Sequence, residues 1–247
     1  MNKFKMPVEI AENIYWVGNY KETDYLHCNP YLLDFGEESI LIDPGGVDDF
    51  SVVAQKILNI MEFSQIQSII LHHQDPDVCG MTHFLEDMIQ HPIQVISHYN
   101  NEYFLRHYGI KSPITDISRQ NYEMKLEKAG ITLKFIYTPF LHSPGSFMTF
   151  IPEYKILFSS DLFGWVGFED QWTLFDNNVE KSGYEEWHLQ IVPHKKILKP
   201  VLEKIKELDI EMIAPQHGSI LKGKDNIQRL FTRLEKINYS LKEILGE

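Results

Sequence analysis

Two cysteines in 247 residues, Cys28 and Cys79, form neither a CxxC pair nor a disulfide framework, which excludes a rubredoxin-like or iron–sulfur module from this chain. Each reads as a small buried residue. Basic residues are also scarce: 23 Lys and Arg against 35 Asp and Glu leave a formal charge of −12. No basic stripe interrupts that balance, which argues against nucleic-acid binding, because a phosphate backbone would be repelled rather than neutralised. Apolar runs of about eighteen residues, the length a membrane helix needs, are absent. The N-terminal stretch Met1 to Glu9 has basic residues but no apolar core of a leader. The expectation is a cytoplasmic protein without membrane insertion. Linkers, low-complexity tracts and short-period repeats are missing as well, so residues 1–247 are expected to form a single domain, and an apolar content of 43% is enough for its core.

What is present alternates strand and helix patterns. Strands are predicted at Val8–Ile10, Ile14–Val17, Tyr31–Phe35 and Ser39–Asp43, with a turn at Gly36 and Glu37. Val52, Val53, Ile57, Ile60 and Met61 recur at helical spacing, and Ser68–His72 reads as a buried strand carrying His73 at its far end. Helices follow at Gly80–Gln90 and Asn100–Tyr108, flanking a strand at Ile93–Ser97. The second half repeats the plan with strands at Ile131–Thr138, Ser146–Ile151, Lys155–Ser160 and Ile210–Ala214. A helical stretch spans Tyr184–Leu208, with Pro193 and Pro200 as breaks or first-turn residues, and a last helix spans Asp225–Leu245. Two β-rich halves that each end in helices predict an α+β fold, a four-layer αββα sandwich with polar residues gathered at one edge of the facing sheets.

Those polar residues form a metal-ligand pattern. His73, Asp75 and Asp77 follow one strand at alternate positions, so His73 and Asp75 can converge on one metal while Asp77 reaches a neighbour. His142, Asp161 and His217 each lie at or beyond the end of a later strand. Asp161, with two carboxylate oxygens, is the natural bridge between the metals; His142 completes the first and His217 the second. A lone His or Asp at a strand end is usually a turn or cap residue. Six such residues in four segments of one chain are harder to dismiss. Three imidazoles and three carboxylates form an oxygen-rich set that suits iron or manganese better than zinc.

The stretches His73-Gln74-Asp75-Pro76-Asp77, Thr138 to His142, Ile156 to Gly164 and Ala214 to Gly218 resemble the metallo-β-lactamase superfamily, and within it the diiron domain of the flavodiiron proteins. That family places an acidic residue where Asp75 stands. Two departures are informative. The family motif continues Asp-His where this chain has Asp77-Val78, so the second metal is short of one imidazole. Flavodiiron proteins also continue into an FMN-binding flavodoxin domain, whereas this chain is expected to carry no flavin site. It is similar in that respect to stand-alone oxygen-binding diiron proteins (ODP), some of which feed chemotaxis signalling.

The resemblance implies two iron ions, dioxygen as ligand with a diferric peroxide as the expected product, a homodimer, and a chemoreceptor or other signalling protein as partner. A sensor is the leading expectation. A reductase of oxygen or nitric oxide fed by a separate flavoprotein or rubredoxin is the second, and a metal-dependent hydrolase the third. No residue is assigned a catalytic role beyond holding metal. Near the site, His72 is expected to be structural, while Tyr25, His27 and Asn29 lie on a loop that passes over the metals in the family. His83 is a candidate stand-in for the missing imidazole. Phe163, Trp165, Phe168 and Trp172 fill the loop after Asp161, where Phe163, Trp165 and Trp172 could line a dry pocket.

Overall fold

In the computed structural model, which describes residues 4–20, 26–167, 172–176, 179–180 and 183–237, seven strands form each of two sheets. The first sheet holds, in spatial order, β1 (Val8–Ala11), β2 (Ile14–Trp16), β3 (Tyr31–Leu33), β4 (Ser39–Ile42), β5 (Ile66–Ile70), β6 (Gln94–Ser97) and β7 (Ile114–Asp116). It starts as an antiparallel meander and becomes parallel from β4 onward. The parallel strands require crossovers, and α1 (Phe50–Leu58), α2 (Pro76–Cys79), α3 (Thr82–Ile89) and α4 (Tyr99–His107) lie in them.

The second sheet comprises β8 (Glu123–Leu126), β9 (Ile131–Tyr137), β10 (Phe147–Ile151), β11 (Ile156–Phe158), β12 (Phe175–Asp176), β13 (Met212–Ala214) and β14 (Ile220–Lys222), in the spatial order β12-β14-β13-β11-β10-β9-β8. Its helices are α5 (Tyr184–Ile191), α6 (Lys195–Lys206) and α7 (Lys224–Lys236).

Alternation along the strands builds the layers. In β4, Ile40 and Ile42 face the central core with Tyr31, Leu33, Ile70 and Ile96, while Leu41 turns outward with Leu32, Ile69 and Val95. Because both faces are covered, all four residues of β4 are buried. The outward set packs on Val53 and Ile57 of α1, Leu85 and Ile89 of α3, and Leu105 of α4. On the far side, Leu198, Leu202 and Ile205 of α6 and Leu230, Phe231 and Leu234 of α7 join the cluster that includes the second sheet. The result is the expected αββα sandwich.

Three details differ from the sequence reading. The strand expected to end beside His73 closes at Ile70, so His73 belongs to a turn rather than to a pleat. The long helical stretch splits into α5 and α6 around Pro193, whereas Pro200 is accommodated inside α6. Strands β7, β8, β12 and β14 had no clear signal, since each is only two to four residues long. The final helix is seen from Lys224 to Lys236, and the rest of its expected span lies outside the described residues.

Candidate metal centre

The segments beyond the C-terminal ends of β5, β9, β11 and β13 meet at one place. After β5, the chain turns through His72 and His73 into α2, where Asp75 is the residue preceding the first turn, Pro76 fixes that turn, and Asp77 follows inside it. Asp75 and Asp77 thus converge through a helix start rather than through strand alternation. His142 sits in the β9–β10 connection at φ +89°. Asp161 follows β11 and His217 follows β13; these two strands pair in parallel, so the two loops leave the sheet side by side.

All six sequence-predicted residues are brought together. His142 Nε2 lies 2.6 Å from Asp75 Oδ2, and His73 Nε2 is 3.8 Å from the same oxygen. His217 Nε2 lies 3.1 Å from Asp77 Oδ2. Asp161 stands between the halves, with Oδ1 3.7 Å from His73 Nε2 and 3.5 Å from His217 Nε2, and Oδ2 3.7 Å from His142 Nε2. His73, Asp161 and His217 are almost completely buried, whereas the side chains of Asp75, Asp77 and His142 are each about 30% exposed. The centre is therefore open on that one side.

Backbone and side-chain bonds aim these groups. His73 Nδ1 pairs with Ser160 Oγ at 3.0 Å, and His217 Nδ1 donates to the His27 carbonyl at 3.0 Å, leaving both Nε2 atoms directed inward. Asn29 donates through Nδ2 to the carbonyls of Pro215 (3.0 Å) and Gly218 (2.8 Å) and accepts from Trp16 Nε1 (2.8 Å), tying the loop after β13 to β2. Gln216 donates from Nε2 to the Asp77 carbonyl and from its backbone N–H to the Ser160 carbonyl. Gly164 is forced to be glycine by proximity: a Cβ there would lie 2.8 Å from the His217 carbonyl.

The charges are arranged for cations. Hydrogen bonding to His142 holds the Asp75 carboxyl low against the opposing effect of burial. Burial pushes Asp77 up, but the hydrogen bond and charge of His217 outweigh it and bring its pKa to about 2. Burial likewise opposes protonation of His217, yet Asp161, Asp77 and Cys28 raise its pKa well above the usual imidazole range. His142 is raised by its bond to Asp75. Inside the cluster, His73 Nε2 and Asp161 Oδ1 are buried with no hydrogen-bond partner. A buried polar atom left unpaired costs roughly 1–3 kcal/mol, and a cation between these atoms removes that cost. The residues therefore fit a pair of metal ions.

The neighbours divide clearly. His72 is clamped by Asp43 Oδ2 at 2.5 Å and Thr149 Oγ1 at 2.8 Å, a structural role. His83 lies tilted against Phe84 with ring centroids 3.8 Å apart and belongs to none of the metal-capable clusters among the described residues. Trp172 packs against Phe4, Tyr20 and His27, Phe163 against Phe231, and Trp165 near Tyr184; these are core contacts. Tyr25 and Phe168 lie outside the described residues.

Two residues of the site escaped the sequence reading. Trp187 donates from Nε1 to the Asp161 carbonyl at 2.9 Å and sets its ring edge-on to His217; no local signal in a helical stretch announced it. The second is Cys28, whose sulfur lies within 4.8 Å of ligand atoms of Asp77 and His217. Its backbone pairs with His217 in an isolated antiparallel bridge. The signal was its position between His27 and Asn29, on the loop already expected to cross the metals.

Comparison with known proteins gives a consistent set of relatives. A family model described as ODP family beta lactamase matches residues 26–218. The flavo-diiron protein FprA2 of Clostridium acetobutylicum is 28% identical over 232 residues, which cover 87% of this chain and 57% of that protein. The anaerobic nitric oxide reductase flavorubredoxin of Vibrio vulnificus is 27% identical, covering 87% of this chain and 47% of its own length. The chain thus spans about half the length of these curated relatives. Among solved structures, a mutant flavo di-iron protein from Thermotoga maritima superposes with a TM-score of 0.82 at 25% identity, covering 93% of this chain and 60% of that one. The chemotaxis sensor ODP, in a peroxy diiron species, matches with a TM-score of 0.77 at 25% identity, over 98% of this chain and 99% of that one.

Proposed function

The chain belongs to the ODP family of beta-lactamases, and from that premise we propose that it is a diiron protein that binds dioxygen and passes its state to a signalling partner. Its αββα sandwich is the metallo-β-lactamase fold shared with the flavodiiron cores. In this reading His73, Asp75 and His142 hold one iron, Asp77 and His217 the other, and Asp161 is shared. The observation that carries the reading is the end-to-end match with the chemotaxis sensor, 98% of one chain against 99% of the other, joined to a six-residue centre with unpaired inward-facing atoms.

Two ferrous ions held there would supply a pair of electrons to dioxygen. The chain's own groups do the rest. His73 and His217 are locked in orientation by Ser160 and the His27 carbonyl, so the inner side of the centre is preorganised. The partly exposed Asp75, Asp77 and His142 mark the side from which a small ligand enters. Three carboxylates against three imidazoles favour iron over zinc. The reading includes residues 1–247 as one domain, a cytoplasmic homodimer, and a chemoreceptor or similar protein as partner. No helix among the described residues is long and apolar enough to cross a membrane.

The likeness to a nitric oxide reductase supports a second reading, in which the same centre turns over with electrons from a separate flavoprotein or rubredoxin. An oxygen electrode separates them. The sensor takes up oxygen once, in proportion to the diiron centres, with or without reduced rubredoxin; sustained uptake that tracks the donor would establish the reductase.

A further inference from the structure

We propose that Cys28 provides a thiolate ligand to the second metal, occupying the coordination position that Val78 leaves without an imidazole. The inference rests on the diiron reading and deepens it. Cys28 Sγ, a carboxylate oxygen of Asp77 and a ring nitrogen of His217 lie within 4.8 Å of one another, a group of three metal-capable donors. The independent sign of a ligand is Asp161. It is only 3% exposed, its Oδ1 has no hydrogen-bond partner, and that oxygen faces His217 Nε2 at 3.5 Å. Cys28, Asp77 and His217 thus gather three donors from three segments, and Asp161 adjoins His217 from a fourth.

The loop that carries Cys28 is built to hold it there. The Cys28–His217 bridge, the Asn29 N–H to the Gln216 carbonyl at 2.8 Å, and the Asn29 side chain on Pro215 and Gly218 fix its backbone against the loop of His217. Val78, by contrast, is fully buried in the outer apolar cluster. Cys79 shows what a structural cysteine looks like in this chain, since its sulfur is spent on the carbonyls of Gln74 (3.2 Å) and Asp75 (3.0 Å).

Ligation breaks the S–H bond of Cys28, releases the proton to solvent and forms a sulfur–metal bond with no change in oxidation state. Thiolate is a soft anionic donor and increases the negative charge on the second metal's ligands to three, with Asp77 and Asp161. It makes the two metals inequivalent, the first held by nitrogen and oxygen alone.

Anaerobic titration of the reduced full chain with Co2+ tests this. The wild type should develop a near-ultraviolet sulfur-to-cobalt charge-transfer band along with visible ligand-field bands. Cys28→Ser should lose the charge-transfer band, keep ligand-field bands from the first site, and bind the second cobalt at least roughly 10- to 100-fold more weakly, the range that loss of a supporting group already costs. Cys79→Ser should leave the spectrum unchanged. Because the Cys28 variant could misfold, mass spectrometry of the wild type after alkylation supplies a second readout: bound cobalt should slow modification of Cys28 and not that of Cys79. Ligand-field bands without a charge-transfer band in the wild type, or a band that survives in Cys28→Ser, would overturn thiolate ligation while leaving the metal centre standing. No cobalt binding at all would overturn both.

Discussion

At the scale of single residues, the shared carboxylate is the most consequential group. Asp161 faces His73, His142 and His217 at 3.5–3.7 Å, so Asp161→Ala leaves three imidazoles around a common centre without the anion between them. The variant should lose both metals, and retention of two irons per chain by elemental analysis would refute the bridging role. His188 gives a prediction independent of metal. It accepts the Phe163 N–H through Nε2 and donates Nδ1–H to the Tyr184 carbonyl, a neutral tautomer. Burial lowers its pKa to about 4. Folding therefore disfavours the protonated form, and the stabilisation is fully present above the ordinary value of 6.5 and is lost as pH falls toward 4. The displacement corresponds to about 3 kcal/mol. Urea denaturation of apoprotein between pH 4 and 7 should show a slope that His188→Gln reduces; an unchanged slope would contradict the assignment. The six ligand candidates were legible in the sequence because each stands beyond an apolar strand. Trp187 and Cys28 were not, since a tryptophan in a helical stretch and a single cysteine in a loop look the same whether or not they face a site.

At the scale of elements, the centre is held by loops that belong to different strands and are fastened by side chains. Asn29 is the main fastening: it joins Trp16 of β2 to both ends of the loop after β13. Asn29→Ala leaves the Gly218 carbonyl and the Trp16 indole N–H unpaired, which should cost about 2–3 kcal/mol. Tyr31 also donates to the Pro215 carbonyl at 2.8 Å, so the loop should remain folded but bind the second metal less tightly. Calorimetric melting and metal titration check the two parts, and an unaltered melting temperature would show that the fastening is dispensable. The principal strands were readable from alternation and β-branched runs, as in Ser39–Ile42. The geometry of the Asp75–Asp77 stretch was not. A Pro following Asp permits either a turn or a helix start, and the choice of helix is fixed by packing of Val78 and Cys79 into the outer cluster. Similarly, β12 has two residues and is defined by its parallel pairing with β14, a long-range contact with no local signature.

At the scale of the whole molecule, two facing sheets deliver the ligands to one edge, while helical layers cover their outer faces. An acidic chain with a formal charge of −12 gains from binding cations that only the folded state can collect. Chelation should therefore lower the melting temperature. Restoring free Fe2+ under anaerobic conditions to about 100 times its dissociation constant should return roughly 2.7 kcal/mol per site, and equal stability with and without metal would argue against a preformed centre. The central claim, that this centre holds two irons and binds dioxygen, is tested most directly by stopped-flow absorption after mixing anaerobic, ferrous-loaded protein with an oxygen pulse. The account predicts a new visible band, formed once per pair of irons and long-lived without an electron donor, and absent from Asp161→Ala. No iron-dependent band, or one of equal size in that variant, would contradict it.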